Sequence, residues 1–288
     1  MDSLVTTEWL ACEIGASDLR VVDATKHLPD AASANFGRDA RAEYVAGHIP
    51  GAVFMDLEEL VDSGAPADST LPSPAKFASR MQALGLGDGS RIVLYDDSAV
   101  KTSARAWFML RLFGAQNVAI LDGGIAKWKA QGRPLTMGAE TLRNRHFTTW
   151  ADRRPLRSKA DILANISSGA EQLIDARGAP RFSGSEKEAR PGIASGHIPG
   201  AYNLPYSKLF NPEGTWKNKA GIRQAFTDAG VDLSRPLITS CGSGITACCL
   251  TFGLHLIGKD DVALYDGSWA EWGADPETPK SVGEAVPA

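Results

Sequence analysis

The stretch Gly47-His48-Ile49-Pro50-Gly51-Ala52 occurs a second time, letter for letter, as Gly196-His197-Ile198-Pro199-Gly200-Ala201. Upstream of each copy lies an apolar segment that ends in Asp-Ala, at residues 21–24 and 173–176. Two landmarks that recur in the same order indicate an internal repeat, which must be recognised before any element is assigned.

The repeat continues downstream of both copies. Asp-Gly-Gly at 122–124, with Trp128 after it, corresponds to Asp-Gly-Ser at 266–268, with Trp272 after it. The spacing of all these landmarks nearly matches between the halves, so we predict a duplicated domain. The predicted organisation is an N-terminal domain at 1–137, a linker at 138–157, a C-terminal domain at 158–276 and a tail at 277–288.

Short apolar segments alternate with amphipathic ones in each half. In the first half they predict strands at 19–22, 52–55, 92–95 and 118–121, and helices at 74–84, 102–113 and 125–130. Apolar strands of this length between helices favour a mostly parallel sheet covered on both faces. The predicted fold class is therefore α/β, with two tandem domains that each hold a mostly parallel sheet flanked by helices.

Length and composition limit the classes of function. A chain of 288 residues can form two domains with cores of their own, and a net charge of -4 provides no basic field for nucleic acid. We see no basic leader segment, and no stretch approaches the ~18 apolar residues of a membrane span. The cysteines match neither a disulfide framework nor metal-ligand spacing, since Cys248 and Cys249 are adjacent. We therefore expect a cytoplasmic protein without metal or cofactor.

One cysteine loop carries the candidate chemistry. Residues 238–247 predict a buried strand and a tight loop at Cys241, and an apolar helix follows from Ile245 to Ile257. Loop N–H groups at a helix N-terminus stabilise a thiolate and an anionic group bound to it, although a turn with a merely buried cysteine fits the same pattern. The candidate residues are the nucleophile Cys241 and the loop residues Gly242, Gly244, Ile245 and Thr246.

With the duplicated Gly-His-Ile-Pro-Gly-Ala, the Asp-Gly-Gly or Asp-Gly-Ser followed by tryptophan, and Cys-Gly-Ser-Gly-Ile-Thr-Ala in the second half only, the chain resembles the tandem-rhodanese sulfurtransferases. The resemblance covers nearly the whole chain. It implies two rhodanese-like α/β domains, one catalytic cysteine in the C-terminal domain and a persulfide intermediate. It also implies a sulfur acceptor, either a thiol such as thioredoxin or cyanide.

The register of the repeat marks the first half as the inactive one. Aligning residues 111–114 with residues 255–258 sets Asp97 opposite Cys241. A carboxylate cannot accept a sulfane sulfur. We therefore expect the N-terminal domain to be catalytically silent.

The charge of the loop bears on the choice of sulfur donor. Gly242-Ser243 is uncharged, whereas the rhodanese proper has a basic pair directly after its cysteine to meet the thiosulfate dianion. A monocarboxylate donor such as 3-mercaptopyruvate suits a neutral loop better. Its carboxylate needs a fork-shaped cation, and the family pattern Arg-Phe-x-Gly followed by a second arginine supplies Arg181 and Arg190, which could equally be solvated surface residues. A thiosulfate:cyanide sulfurtransferase is the alternative.

A proton relay is harder to place. Ser243 lies two residues after the nucleophile, where its hydroxyl could bond the donor, relay a proton or simply cap its own turn. The family's relay histidine precedes Met-Leu-Pro, and Ser69 stands in its place here. His48 and His197 occupy the same motif in the two halves, so we expect both to brace the turn.

Two other classes of protein match parts of the pattern. Phosphatases and arsenate reductases of related fold need an arginine at the sixth position after the cysteine or a longer loop, and Ala247 stands at that position. A non-enzymatic binding module would be expected to lack the cysteine in both halves, and Cys241 is present. Neither class explains Arg181 and Arg190 beside a neutral loop.

Overall fold

The computed structural model of the chain describes residues 1–28, 37–65, 69–150 and 155–284. The chain divides into two compact units. Unit 1 comprises Met1–Val61, Leu71–Asp152 and Pro212–Trp216, and unit 2 comprises Asp62–Thr70, Arg153–Asn211 and Lys217–Ala288. None of the helices in the described residues is both long enough and apolar enough to span a bilayer.

Unit 1 is built on a five-stranded parallel sheet in the order β1-β5-β4-β2-β3. Its elements are, in chain order, β1 (Leu4–Val5), α1 (Thr7–Glu13), β2 (Leu19–Asp23), α2 (Ala40–Ala46), β3 (Ala52–Phe54), α3 (Pro74–Ala83), β4 (Arg91–Tyr95), α4 (Ser103–Leu112), β5 (Val118–Leu121) and α5 (Gly124–Ala130).

Unit 2 repeats this arrangement with the strand order β6-β10-β9-β7-β8, again entirely parallel in the described residues. Its elements are β6 (Leu156–Arg157), α6 (Lys159–Ser168), β7 (Gln172–Asp175), α7 (Ala179–Ser183), β8 (Tyr202–Asn203), a 3-10 turn (Tyr206–Leu209), α8 (Lys219–Asp228), β9 (Leu237–Ser240), α9 (Ala247–Leu256), β10 (Val262–Tyr265) and α10 (Ser268–Trp272). The predicted α/β fold of two tandem parallel-sheet domains is confirmed. The predicted helix and strand ends differ from these by no more than two residues.

The tryptophans of the repeat anchor the cores. Trp128 and Trp272 are each almost completely buried within the hydrophobic cluster of their own unit. Their indole N–H groups donate to the carbonyls of Pro134 and Pro279, both at 2.8 Å. A buried indole needs such an acceptor, so each tryptophan also ties the segment after the last helix to its unit.

The motif histidines brace the fold, as predicted. The Nδ1 atoms of His48 and His197 lie 2.9 Å from the carbonyl oxygens of Tyr44 and Phe182, and each imidazole stacks on the ring of that same partner. Both histidines are buried. Burial lowers the pKa of His197, which favours the neutral imidazole that this packing requires.

Candidate active site

Cys241 lies directly after β9, the central strand of the unit 2 sheet. The last residue of β9, Ser240, pairs with Asp175 at the end of β7. Carboxyl ends of parallel strands meet at one edge of a sheet, and in open α/β sheets this edge is where ligands bind. Cys241 is 1% exposed, so its thiol is within the protein rather than on an open surface.

The loop after Cys241 leaves main-chain donors without acceptors. In the part of the chain that the structure describes, no hydrogen-bond acceptor faces the N–H groups of four loop residues, Gly242, Ser243, Ile245 and Thr246. α9 begins at the next residue. Unpaired amides at the start of a ten-residue helix form the electropositive surroundings that stabilise anionic sulfur.

The two loop glycines serve different purposes. Gly244 has a φ of 76°, in the left-handed region that a turn of this tightness needs. Gly242 has no such backbone constraint. A Cβ at Gly242 would lie 3.4 Å from Nη2 of Arg181, which is van der Waals contact, so the guanidinium lies directly against the loop at this residue.

Arg181 is thereby placed beside the residue that follows the nucleophile. Its Nη2 donates to both carboxylate oxygens of Glu188, at 2.7 and 2.9 Å, and its side chain is 35% exposed. Burial alone would lower the pKa of Arg181, but the hydrogen bonds and charge of Glu188 outweigh this and raise it. Arg181 is therefore a fixed cation at the edge of the loop.

A second arginine, missed by the sequence analysis, lies deeper at the same place. Arg177 donates through Nε and Nη2 to Asp175, and its guanidinium stacks over the Trp269 ring, 4.6 Å from the centroid. Its side chain is 2% exposed. Its Nη1 is buried without a hydrogen-bond partner, 3.8 Å from the Glu188 carboxylate. The sequence does contain a sign of this arginine: the motif Asp-Ala is followed by Arg177 in the second half and by Thr25 in the first.

The remaining predicted residues are less constrained. Arg190 is half-buried, and its guanidinium has no hydrogen bond or ion pair within the described residues. The hydroxyl of the buried Ser243 likewise bonds to no described residue, which leaves it available to a ligand. Ser69 has a φ of 68° and belongs to the unit that contains Cys241.

The matching loop of unit 1 is one residue longer. Seven residues, 96–102, separate β4 from α4, whereas six residues, 241–246, separate β9 from α9. Counted from the paired strand ends, Asp96 holds the position of Cys241. Counted from the helix, Asp97 does, as the sequence alignment has it. Both readings put an aspartate in place of the thiol.

The two aspartates of unit 1 are engaged locally. Asp96 accepts hydrogen bonds from the N–H groups of Ser98 and Ser103, both at 2.9 Å. Asp97 forms an ion pair of 2.7 Å with Arg38. Neither aspartate has a thiol that could accept a sulfane sulfur, and the silent N-terminal domain stays a prediction.

The strand end opposite this loop differs as well. Asp23 ends β2 as Asp175 ends β7, but Thr25 stands where unit 2 has Arg177. Burial raises the pKa of Asp23 to about 6, in spite of hydrogen bonds from Thr25, and no arginine or lysine of the described residues pairs with it. Unit 1 therefore has the carboxylate at this strand end, Asp23, but not the arginine that follows it in unit 2.

Comparison with known proteins identifies the family to which this fold belongs. The Rhodanese-like domain matches residues 6–131 and 158–275, and the chain belongs to the rhodanese family in two tandem copies. A 3-mercaptopyruvate sulfurtransferase of Mus musculus is 39% identical over 94% of this chain and 91% of its own length. A thiosulfate sulfurtransferase of Cricetulus griseus is 38% identical over 98% of this chain and 96% of its own length.

The fold is also that of a solved relative. The crystal structure of SseA from Escherichia coli, presented with the catalytic mechanism of 3-mercaptopyruvate sulfotransferases, superposes with a TM-score of 0.84 at 36% identity. It covers 93% of this chain and 99% of SseA. The tandem fold, the cysteine loop and these relatives together make this chain a sulfurtransferase.

Proposed function

We propose that Cys241 takes a sulfane sulfur from 3-mercaptopyruvate, holds it as a persulfide, and passes it to a thiol such as thioredoxin or to cyanide. The observation that carries the proposal is the Arg181 guanidinium against Gly242, the residue after the nucleophile. A cation fixed at the side of an uncharged loop suits a donor with one carboxylate. Relatives named for 3-mercaptopyruvate support the same donor.

The first half-reaction forms one bond and breaks one. The Cys241 thiolate attacks the donor's sulfur, the S–S bond forms as the donor's C–S bond breaks, and the electron pair leaves with pyruvate as its enolate. The enolate carbon then takes up the proton that the donor's thiol carried, which the hydroxyl of Ser243 is available to relay, and the persulfide is left as its anion. The unpaired N–H groups of the loop stabilise the negative charge on the outer sulfur.

In the second half-reaction, a thiolate or cyanide attacks the outer sulfur of the persulfide. The S–S bond breaks, and its electron pair returns to Cys241 as thiolate. Neither half-reaction, as written, needs a cofactor.

The donor's carboxylate has two candidate partners. Arg181 engages Glu188 through Nη2 alone, so the N–H groups of Nη1 and Nε remain as separate donors for the donor's carboxylate. Arg190 has no partner in the described residues and supplies a second cation. Gly242, Gly244, Ile245 and Thr246 act through their main chain, at the sulfur end of the donor.

Thiosulfate is the second candidate donor, because relatives named thiosulfate sulfurtransferase match at nearly the same identity. The neutral Gly242-Ser243 pair argues against it. The cytoplasmic location predicted from the sequence stays a prediction.

Mass spectrometry of the intact protein tests the proposal. Exposure to 3-mercaptopyruvate should add one sulfur atom to Cys241, and Cys241→Ser should add none while it keeps its circular dichroism spectrum. Cys12→Ser, at an exposed cysteine, is the matched control and should behave as the wild type. Sulfur found on another cysteine would refute Cys241 as nucleophile, and addition only from thiosulfate would reassign the donor.

A further inference from the structure

Ser268 has an unusual backbone conformation for a serine. Its φ is 51°, in the left-handed region, and the residue is fully buried. Among the described residues only Ser69 and Lys101 are other non-glycine residues with positive φ. Such strain persists where the surroundings require it, and it concentrates at functional sites.

The other half of the chain shows the unstrained solution. Gly124 in unit 1 is the counterpart of Ser268 and has a φ of 57°. A Cβ at Gly124 would lie only 2.4 Å from the carbonyl oxygen of Asp96, so a side chain is excluded there. The half without a nucleophile therefore uses glycine, and the half with Cys241 has a strained serine in its place.

The Ser268 hydroxyl is fully engaged. It accepts a hydrogen bond of 3.1 Å from the N–H of Cys241 and donates one of 2.8 Å to the carbonyl of Tyr265. The hydroxyl of Ser240 lies 3.4 Å away as a further donor. Because the proton of Ser268 is directed at Tyr265, this hydroxyl cannot protonate a sulfur or a leaving group.

The two residues after Ser268 also form hydrogen bonds with the main chain at Cys241 and Gly242. The N–H of Trp269 donates to the carbonyl of Cys241, and the N–H of Ala270 donates to the carbonyl of Gly242, both at 2.9 Å. Together with the Ser268 hydroxyl, the start of α10 therefore binds the main chain of Cys241 on both its donor and its acceptor side.

We propose that Ser268 is a positioning residue for sulfur transfer, whose hydroxyl fixes the Cys241 main chain so that Sγ is aligned with the donor's sulfur. The inference rests on the proposed role of Cys241 as nucleophile. Displacement of a reacting atom by about 1 Å can cost on the order of a hundredfold in rate, so one lost main-chain contact is enough to matter.

Two substitutions separate the hydroxyl from the strain. Ser268→Ala removes the hydroxyl and keeps the strained Cβ, whereas Ser268→Gly removes both and reproduces the residue that unit 1 uses at this φ. Both variants should lose roughly ten- to a hundredfold in the first-order rate of persulfide formation. The donor concentration that gives half the maximal rate should change by less than about threefold, because Ser268 does not touch the donor. Thermal unfolding confirms that each variant folds.

The rates of the two variants distinguish the hydroxyl from the backbone conformation. A slow Ala variant with a fast Gly variant would show that backbone conformation, and not the hydroxyl, controls the rate, and would overturn the proposal. Unchanged rates in both variants, or a loss confined to donor affinity, would overturn it as well.

A readout without a sulfur donor keeps this test apart from the proposed function. Alkylation of Cys241 by iodoacetamide, followed on the Cys241 peptide by mass spectrometry, should also slow in both variants. If the donor assignment is wrong, the wild type will not react with 3-mercaptopyruvate, yet the alkylation rates still decide the role of Ser268. Equal alkylation rates in the wild type and both variants would refute it.

Discussion

The guanidinium of Arg181 lies against the main chain of Gly242, where a Cβ would be 3.4 Å from Nη2 and 3.8 Å from Nη1. A Cβ at position 242 would only touch Arg181, but a long side chain there would compete with the guanidinium for space, which couples the charge of the loop to the proposed donor-binding cation. The loop after Cys241 thus has no basic pair of its own and has a fixed arginine, Arg181, beside its first residue.

Converting Gly242 and Ser243 to arginine and lysine should shift the donor preference. Gly242→Arg with Ser243→Lys adds positive charge beside the sulfur and displaces Arg181, so kcat/KM for thiosulfate should rise and kcat/KM for 3-mercaptopyruvate should fall. Steady-state kinetics with both donors measure the ratio. Gly242→Ala, whose added methyl carries no charge and would only reach van der Waals contact with Arg181, is the control and should leave the ratio close to that of the wild type. A double variant with an unchanged ratio would disprove the link between loop charge and donor.

Removal of either arginine that we propose to bind the donor should cost about ten- to a hundredfold in kcat/KM for 3-mercaptopyruvate, since a charge-assisted hydrogen bond is worth about 1.5 to 3 kcal/mol. Arg181→Gln and Arg190→Gln test this by steady-state kinetics. The loss should be much smaller with a donor that lacks a carboxylate. Lys187→Gln removes a charge from an exposed position of the same segment and should have little effect. Equal losses of kcat/KM with both donors would show that these arginines do not act on the donor's carboxylate.

Glu188→Gln should destabilise unit 2. The Glu188 side chain is 4% exposed and lies between Arg181 and Arg177, so its neutralisation leaves buried positive charge without compensation. Loss of one partner of a buried ion pair costs roughly 3 to 5 kcal/mol in unfolding free energy, and the lower figure applies because Arg181 is partly exposed. Urea denaturation measures the change. Glu186→Gln, at an exposed position, is the control, and equal stability of the two variants would contradict the prediction.

Asp23→Asn should stabilise the protein at neutral and alkaline pH. The pKa of Asp23 is about 6 in the folded state against 3.8 for a free side chain. A folded pKa above the unfolded one means that Asp23 weakens folding progressively as the pH rises from about 4 to 6, and the full penalty of about 2 to 3 kcal/mol is present at pH 7 and above. The variant should therefore have the higher Tm at pH 8, with the difference disappearing near pH 4.

The matched control for Asp23 is its counterpart in unit 2. Asp175→Asn removes the partner of the buried Arg177, so it should lower Tm at pH 8 rather than raise it. Calorimetry over the pH range compares the two variants directly. If Asp23→Asn also lowers Tm at pH 8, then burial does not destabilise the charged Asp23 carboxylate as its raised pKa indicates.

Predictions from the sequence succeeded where the signal is local. The strand and helix ends followed from short apolar runs, and the loop position of Cys241 between a buried strand and a helix followed from the same pattern. The alignment that set Asp97 opposite Cys241 counted from the helix, and it could not show that the unit 1 loop has an additional residue on the strand side. Only the pairing of β4 with β2 locates that residue.

Residues that act through distant partners were missed. In the sequence, Arg177 follows an Asp-Ala pair and Glu188 belongs to the charged run 186–188, and neither pattern indicates a partner. Their roles appear only when α7 and the following loop return to the carboxyl edge of β7 and β9, where Glu188 meets both arginines. Ser268 was visible as the single change from Asp-Gly-Gly to Asp-Gly-Ser, but no pattern could show that its hydroxyl meets the amide of Cys241.

The sequence by itself therefore determined the duplication, the parallel α/β fold and the cysteine that distinguishes one half from the other, because repeats, hydrophobic periodicity and loop glycines act over a few neighbouring residues. Only the tertiary structure decided which side chains surround that cysteine: Arg181 and Arg177 with Glu188, and Ser268 on the Cys241 amide. The physical reason is that these contacts join segments spread from Arg177 to Ser268 along the chain, and the sheet edge that unites them exists only after the strands have paired.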